Sequence, residues 1–137
     1  YPLYYLHEFQ NWDHVFDYFY ELSQYIFEIN NTNKLNRNQL MVNKIKMYIA
    51  QNLQENISLS LLSDLVNYNE SHVSRTFKLV TGVGIAEYIN HSRIEKAKIL
   101  MKDNDKTIQE IAAVCGFDSA QYFSNVFKKI TGYSPSE

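Results

Sequence analysis

Apolar positions recur at helical spacing along nearly the whole chain. Trp12, Val15, Phe19, Leu22, Ile26 and Ile29 are separated by alternating steps of three and four, which predicts a helix with one apolar seam. Phe16, Tyr20 and Phe27 flank that seam. Asn30 to Asn38 is polar, rich in Asn and without apolar period, and predicts a loop. It divides a helical segment, residues 1–37, from a second part, residues 38–137. Met41, Ile45, Tyr48, Ile49 and Leu53 then predict a helix over about 38–54.

Capping residues punctuate the rest. Ser58 suits the N-cap of a short helix carrying Leu59, Leu62, Leu65 and Val66, and Asn67 tolerates the left-handed conformation at its end. Asn69 can cap a helix with Val73, Phe77 and Val80 on one face, stopping at Gly82. A longer helix follows over about 85–102. Thr107-Ile108-Gln109-Glu110 has the form of a capping box and opens a helix with Ile108, Ile111, Ala112 and Cys115 inward, stopped by Gly116. Asp118 is expected to cap the last helix, which carries Phe123, Phe127 and Ile130 and ends at Gly132.

These segments repeat. Phe77-Lys78-Leu79-Val80-Thr81-Gly82 matches Phe127-Lys128-Lys129-Ile130-Thr131-Gly132 at an offset of 50, while Leu62 and Tyr68 match Ile111 and Phe117 at 49. One residue is therefore inserted in the second turn. Each copy is a short helix, a tight turn and a capped second helix, a helix-turn-helix. The linking helix of about 18 residues spans roughly 27 Å. That length suits two second helices entering successive major grooves, about 34 Å apart on one face of a duplex. The expected fold is all-α: two helix-turn-helix subdomains joined by a long linking helix, preceded by an aromatic-rich amphipathic helix.

Composition narrows the function classes. The chain has 137 residues, 45% of them hydrophobic, with four Gly and two Pro, too few for a turn-rich sheet fold. Thirteen basic against fifteen acidic residues give a net charge of −2, which taken whole argues against a nucleic-acid binder. The distribution reverses that reading. Residues 1–37 hold two basic and five acidic groups, and the remainder eleven and ten. Residues 71–86 and 119–136, the two second helices and their exits, contain Arg75, Lys78, Lys128 and Lys129 and no acid. A helical protein-interaction module, the main non-enzyme alternative, has no reason to clear acids from both.

Cys115 is the one cysteine, so neither an internal disulfide nor a cysteine-built zinc site is expected. It sits on an apolar helix face, the place of a buried thiol rather than a nucleophile. His7, His14, His72 and His91 lack ligand spacing and no Gly-rich phosphate loop occurs, so no enzyme, cofactor or metal is expected. No apolar run is long enough to span a membrane. The chain opens on Tyr1 and reads as a piece of a longer protein.

The residues resemble the AraC/XylS type of bacterial transcription regulators. The resemblance rests on Ile57-Ser58-Leu59, Ser74-Arg75-Thr76-Phe77-Lys78 with Gly82, and Tyr88-Ile89 with Arg93-Ile94 and Ala97. It continues through Ile108, Glu110-Ile111-Ala112, Gly116-Phe117, Tyr122-Phe123, Phe127-Lys128-Lys129, Gly132 and Ser134-Pro135, and covers about residues 40–135. It implies a cytoplasmic domain that binds double-stranded DNA, attached to an N-terminal ligand-sensing or phosphoacceptor domain, in a protein that most often activates transcription by recruiting RNA polymerase. Asn67 stands where the family commonly has Gly, Ser63 where it has Ala, and the family usually continues into a short helix beyond Glu137.

With Val73, Phe77 and Val80 inward, Ser71, Ser74, Arg75 and Lys78 share the opposite stripe of the helix near 70–80. Ser71, Ser74 and Arg75 match positions the family uses for base contact, and the fork of Arg75 suits guanine O6 and N7. In the helix near 119–131, Ala120, Gln121, Ser124 and Asn125 are the base-contact candidates, the two amides for adenine and Ala120 for a thymine methyl. Lys78, Lys128 and His72 are phosphate candidates, as are Ser58 and Thr107 at helix starts. Asn90 and Arg93 on the linking helix either touch the DNA backbone or brace the two lobes. The seam from Trp12 through Val15, Phe19, Leu22 and Ile26 to Ile29 either packs on its own or a neighbouring domain or forms a homodimer.

Overall fold

The computed structural model describes residues 12–103 and 105–136, the side chains of Trp12, Asp13 and His14 excepted. Six helices make up the described residues: α1 (Trp12–Gln51), α2 (Leu59–Val66), α3 (Glu70–Thr81), α4 (Ile85–Met101), α5 (Ile108–Val114) and α6 (Ala120–Thr131). The chain divides between Asn38 and Gln39 into two compact units.

In the first unit the expected loop does not form; Asn30 to Asn38 is helical throughout. The run contains neither Gly nor Pro, and its residues each cost only about 0.3–0.7 kcal/mol relative to Ala in a helix interior. Thr32 Oγ1 donates to the Glu28 carbonyl at 3.0 Å and Arg37 Nε to that of Asn33 at 3.4 Å, local bonds compatible with the helix. Along the apolar seam Val15 and Leu22 are half-buried, while Phe19, Ile26 and Ile29 stay exposed. The Trp12 side chain, the first position of that seam, lies outside the described residues.

The second unit contains two cores. The first gathers Met41, Val42, Ile45 and Ile49 of α1, Leu62 of α2, Val73 and Phe77 of α3 and Ile89 of α4. The second gathers Ile94 and Ala97 of α4 with Ile111, Ala112, Cys115, Phe117, Phe123, Val126 and Phe127. The linking helix thus gives its first half to one lobe and its second half to the other. Ile89 and Ile94 lie five residues apart, a turn of about 140° around the helix, so the apolar face changes side as α4 passes between lobes.

The caps explain where each hairpin bends. Ser58 Oγ accepts from the Leu61 amide at 3.1 Å, and Asn69 Oδ1 from the His72 amide at 2.8 Å. Asn67 takes the left-handed conformation with φ 59°, the one non-glycine among the described residues to do so. In the second lobe the cap of α6 is Ser119, whose Oγ accepts from the Tyr122 amide at 3.1 Å, and not Asp118. The inserted residue lengthens the turn before the cap, so the equivalent of Asn69 lies 50 positions on. From the caps onward the lobes agree: α3 and α6 both have 12 residues and end on left-handed Gly82 and Gly132. Thr81 and Thr131 hydroxyls each donate to the carbonyl four residues back, Phe77 and Phe127, at 2.7 and 2.8 Å.

Candidate nucleic-acid interface

On α3 the burial of Val73 and Phe77 turns Ser71, Ser74, Arg75 and Lys78 outward, and all four are exposed. Arg75 Nε donates to the Ser71 carbonyl at 3.3 Å, which lays the side chain back along the helix. Glu70 shares a shallow depression with Ser71, Ser74 and Arg75, so an acid borders the stripe at its N-terminal end. His72 is half-buried, its ring 4.8 Å from that of Tyr68, at the flank of the stripe. Thr76 is buried beside the two core residues, a position periodicity did not single out.

On α6 Phe123, Val126 and Phe127 face inward, Val126 being an addition to the expected core. Gln121, Asn125 and Lys128 are exposed, and Ala120 and Ser124 half-exposed. The two amides already meet, Gln121 Nε2 donating to Asn125 Oδ1 at 3.2 Å. One residue orients the other, and each keeps a free polar end. Arg75, Lys78, Lys128 and Lys129 make no ion pair among the described residues, which leaves their charge available on the surface.

The two helix starts proposed for phosphate differ. At Ser58 no acidic residue occupies the first turn of α2. At Thr107 the capping box is complete: Glu110 Oε2 accepts from the Thr107 amide at 2.7 Å, and Thr107 Oγ1 accepts from the Glu110 amide at 3.2 Å. The Thr107 amide, and after it the Thr107 hydroxyl, hold the Glu110 carboxyl below the usual carboxylate range. A carboxylate therefore sits at the start of α5, with Thr107 as its N-cap.

Arg93 also has partners within the chain. Its Nε donates to the Leu53 carbonyl at 3.1 Å and Nη2 to the Glu55 carbonyl at 2.9 Å, with the guanidinium carbon 5.8 Å from the centre of the Phe117 ring. These contacts bridge the two lobes, in keeping with the second of the two roles the sequence left open. Burial lowers its pKa, and nearby Asp118, then Tyr122, offset that. Asn90 stays half-exposed between the lobes. It lines two adjoining cavities of about 460 and 650 Å³ that reach from Ser74 on one side to Asn125 on the other. Tyr122 lines both and Lys129 the second, residues the sequence reading did not select. Their signal was weak, because each lies one position off the stripe that faces directly outward.

Cys115 is buried and its thiol pushed up by loss of solvent. Among the described residues there is no cluster of three metal-ligating side chains, and no helix is long and apolar enough to cross a membrane.

Comparison with known proteins agrees with this geometry. Residues 62–137 match the family described as a helix-turn-helix domain. An uncharacterized HTH-type transcriptional regulator of Staphylococcus aureus is 41% identical over 96 residues, which is 70% of this chain and 13% of that protein. The chain thus spans a small part of the length of such relatives. The C-terminal domain of AraT, a response regulator from Geobacillus stearothermophilus, is 30% identical, with a TM-score of 0.67 over 70% of this chain and 80% of that one. The DNA-binding domain of AdpA, a global transcriptional factor solved with a target DNA, shares the fold at 22% identity and a TM-score of 0.66, covering 69% and 86% of the two chains.

Proposed function

Because this chain belongs to the AraC-type helix-turn-helix family of DNA-binding transcription regulators, we propose that it binds duplex DNA sequence-specifically, with α3 and α6 in two successive major grooves. The observation that carries the reading is the duplicated hairpin itself. Two 12-residue helices with equivalent N-caps and the same Thr-Gly exits each present a polar, acid-free stripe beyond their first residues. One chain then does what a dimeric repressor does with two, so its site need not be a palindrome.

Arg75 reads a guanine, and Gln121 and Asn125 read adenines, with Ser71, Ser74, Ala120 and Ser124 adding short or water-mediated contacts. Lys78, Lys128, His72, Asn90 and the Ser58 end of α2 hold the backbone and set the register. Tyr122 and Lys129 join them, supported by their place in the cavities between the lobes. Residues 38–137 form the DNA-binding domain, and residues 1–37 are a helical connection or dimerisation segment whose Phe19, Ile26 and Ile29 are exposed enough to pair. The complete protein acts in the cytoplasm as an activator that engages RNA polymerase, as the family resemblance implies.

The test is selection of duplexes from a randomised 30-base-pair library by the 137-residue chain, followed by mobility-shift titration. Enrichment of a motif with two unlike half-sites is the expected result. Recovery of no motif at low salt overturns the reading. Sedimentation checks the pairing of residues 12–29, and a strictly monomeric chain at high concentration removes that part.

A further inference from the structure

The two lobes have separate cores and share one helix, so contacts across their junction decide whether they move together. Three such contacts converge near Leu53. Arg93, from the middle of α4, donates to the carbonyls of Leu53 and Glu55 at 3.1 and 2.9 Å. Leu53 packs on the first core, and both carbonyls belong to the connection that leads from α1 to α2. The guanidinium carbon also lies over the ring of Phe117, a core residue of the second lobe, 5.8 Å from its centre. Gly116, beside Phe117, lies against the same spot: a Cβ there would overlap the Leu53 carbonyl oxygen and sit 3.1 Å from Arg93 Nε. Its φ of +89° also favours glycine, so two independent reasons exclude a side chain.

We propose that Arg93, Gly116 and Phe117 form a latch that fixes the angle between the lobes and thereby selects the spacing of the two DNA half-sites. The guanidinium is a planar fork with donors on several edges and an apolar face, which suits it to bond one lobe while stacking on the other. Lysine cannot reproduce this, having a single donor head. One added base pair moves the second half-site by about 3.4 Å and turns it by about 35°. A rigid pair of lobes cannot follow both changes without losing the contacts of one helix. A loosened pair can follow them by rotating about α4. Arg93 is thus a positioning residue for both reading helices, acting through the lobes it joins.

The spacing part of this inference rests on the proposed DNA reading, whereas the latch itself does not, and the experiment separates them. Spin labels go on Leu79→Cys and Lys129→Cys, exposed and equivalent in the two lobes, in a Cys115→Ala background. Distances are measured without DNA by double electron–electron resonance. A narrow distribution is expected in the parent, and a broadened or shifted one in Arg93→Ala. Circular dichroism confirms that both lobes keep their helices. Arg93→Lys and Phe117→Leu, which remove less of the side chain, serve if Arg93→Ala unfolds, and both should broaden the distribution in part. Unchanged distances in folded variants overturn the latch.

Affinity is then measured for the selected duplex with one base pair inserted or removed between half-sites. The parent should lose about tenfold or more, comparable to a mismatched base pair, and Arg93→Ala less than about threefold. A loss of affinity that is equal at all spacings assigns Arg93 a general structural role and overturns the spacing inference. Failure to select any duplex refutes the DNA reading and the spacing inference with it, while the spin-label result still decides the latch.

Discussion

Salt dependence gives the sharpest test of the proposed DNA binding by a chain whose net charge is −2. Lys78, Lys128 and Lys129 are the exposed lysines on α3 and α6, and none is ion-paired among the described residues. If each neutralises one phosphate, log affinity should fall against log salt with a slope of about −2.7. Between 50 and 200 mM salt that is roughly a 40-fold loss, modest for a protein with two reading helices. Lys128→Ala should flatten the slope to about −1.8, cut the loss to roughly 12-fold, and do so equally for selected and random duplexes. Fluorescence anisotropy of a labelled duplex across five salt concentrations measures both slopes. A parent slope steeper than about −5 would mean that many more cations reach phosphate than α3 and α6 supply. An unchanged slope in Lys128→Ala would remove that residue from the backbone contacts.

Other substitutions probe other links. Arg75→Ala should cost about 1–3 kcal/mol on the selected duplex and relax preference at one position, leaving the salt slope nearly unchanged; equal loss on all sequences would refute base reading by Arg75. Ser63 is buried and its hydroxyl has no hydrogen-bond partner among the described residues. Ser63→Ala should therefore stabilise the chain by about 1 kcal/mol in urea denaturation, and a loss of stability would show that the hydroxyl is satisfied in solution. Glu110 has a folded pKa below its ordinary value, so its stabilisation is complete above the ordinary carboxylate range and is lost as pH falls through the lowered folded value. The protection factor of the Thr107 amide, its exchange rate corrected for the intrinsic pH dependence, should fall over that acidic interval, and Glu110→Gln should flatten the dependence.

The hairpins were legible because their signals are local. An N-cap is decided by a side-chain oxygen and an amide three residues on, as at Ser58, Asn69 and Thr107. A buried Phe four residues before a Thr-Gly exit marks α3 and α6 alike. The Asp118 assignment failed by one position because two adjacent residues, Asp118 and Ser119, both suit a cap, and only the backbone decides which oxygen reaches Tyr122. The expected loop failed for a different reason: a polar run shows that nothing is buried there, not that the helix must stop.

By itself, then, the sequence determined the two lobes, the second helix of each and the residues that face outward, since each depends on neighbours within about one helical turn. It also determined that charge is placed on α3 and α6 rather than abundant. Tertiary structure alone decided how the lobes are joined. Arg93 finds carbonyls 40 and 38 positions earlier in the chain. Every residue carries such a carbonyl, so no residue type marks the partner. The apolar face of α4 serves two cores from two sides, which erases the single stripe that periodicity could detect. Gly116 reads in sequence as a helix stop, and only the fold brings the Leu53 carbonyl close enough to exclude any other residue.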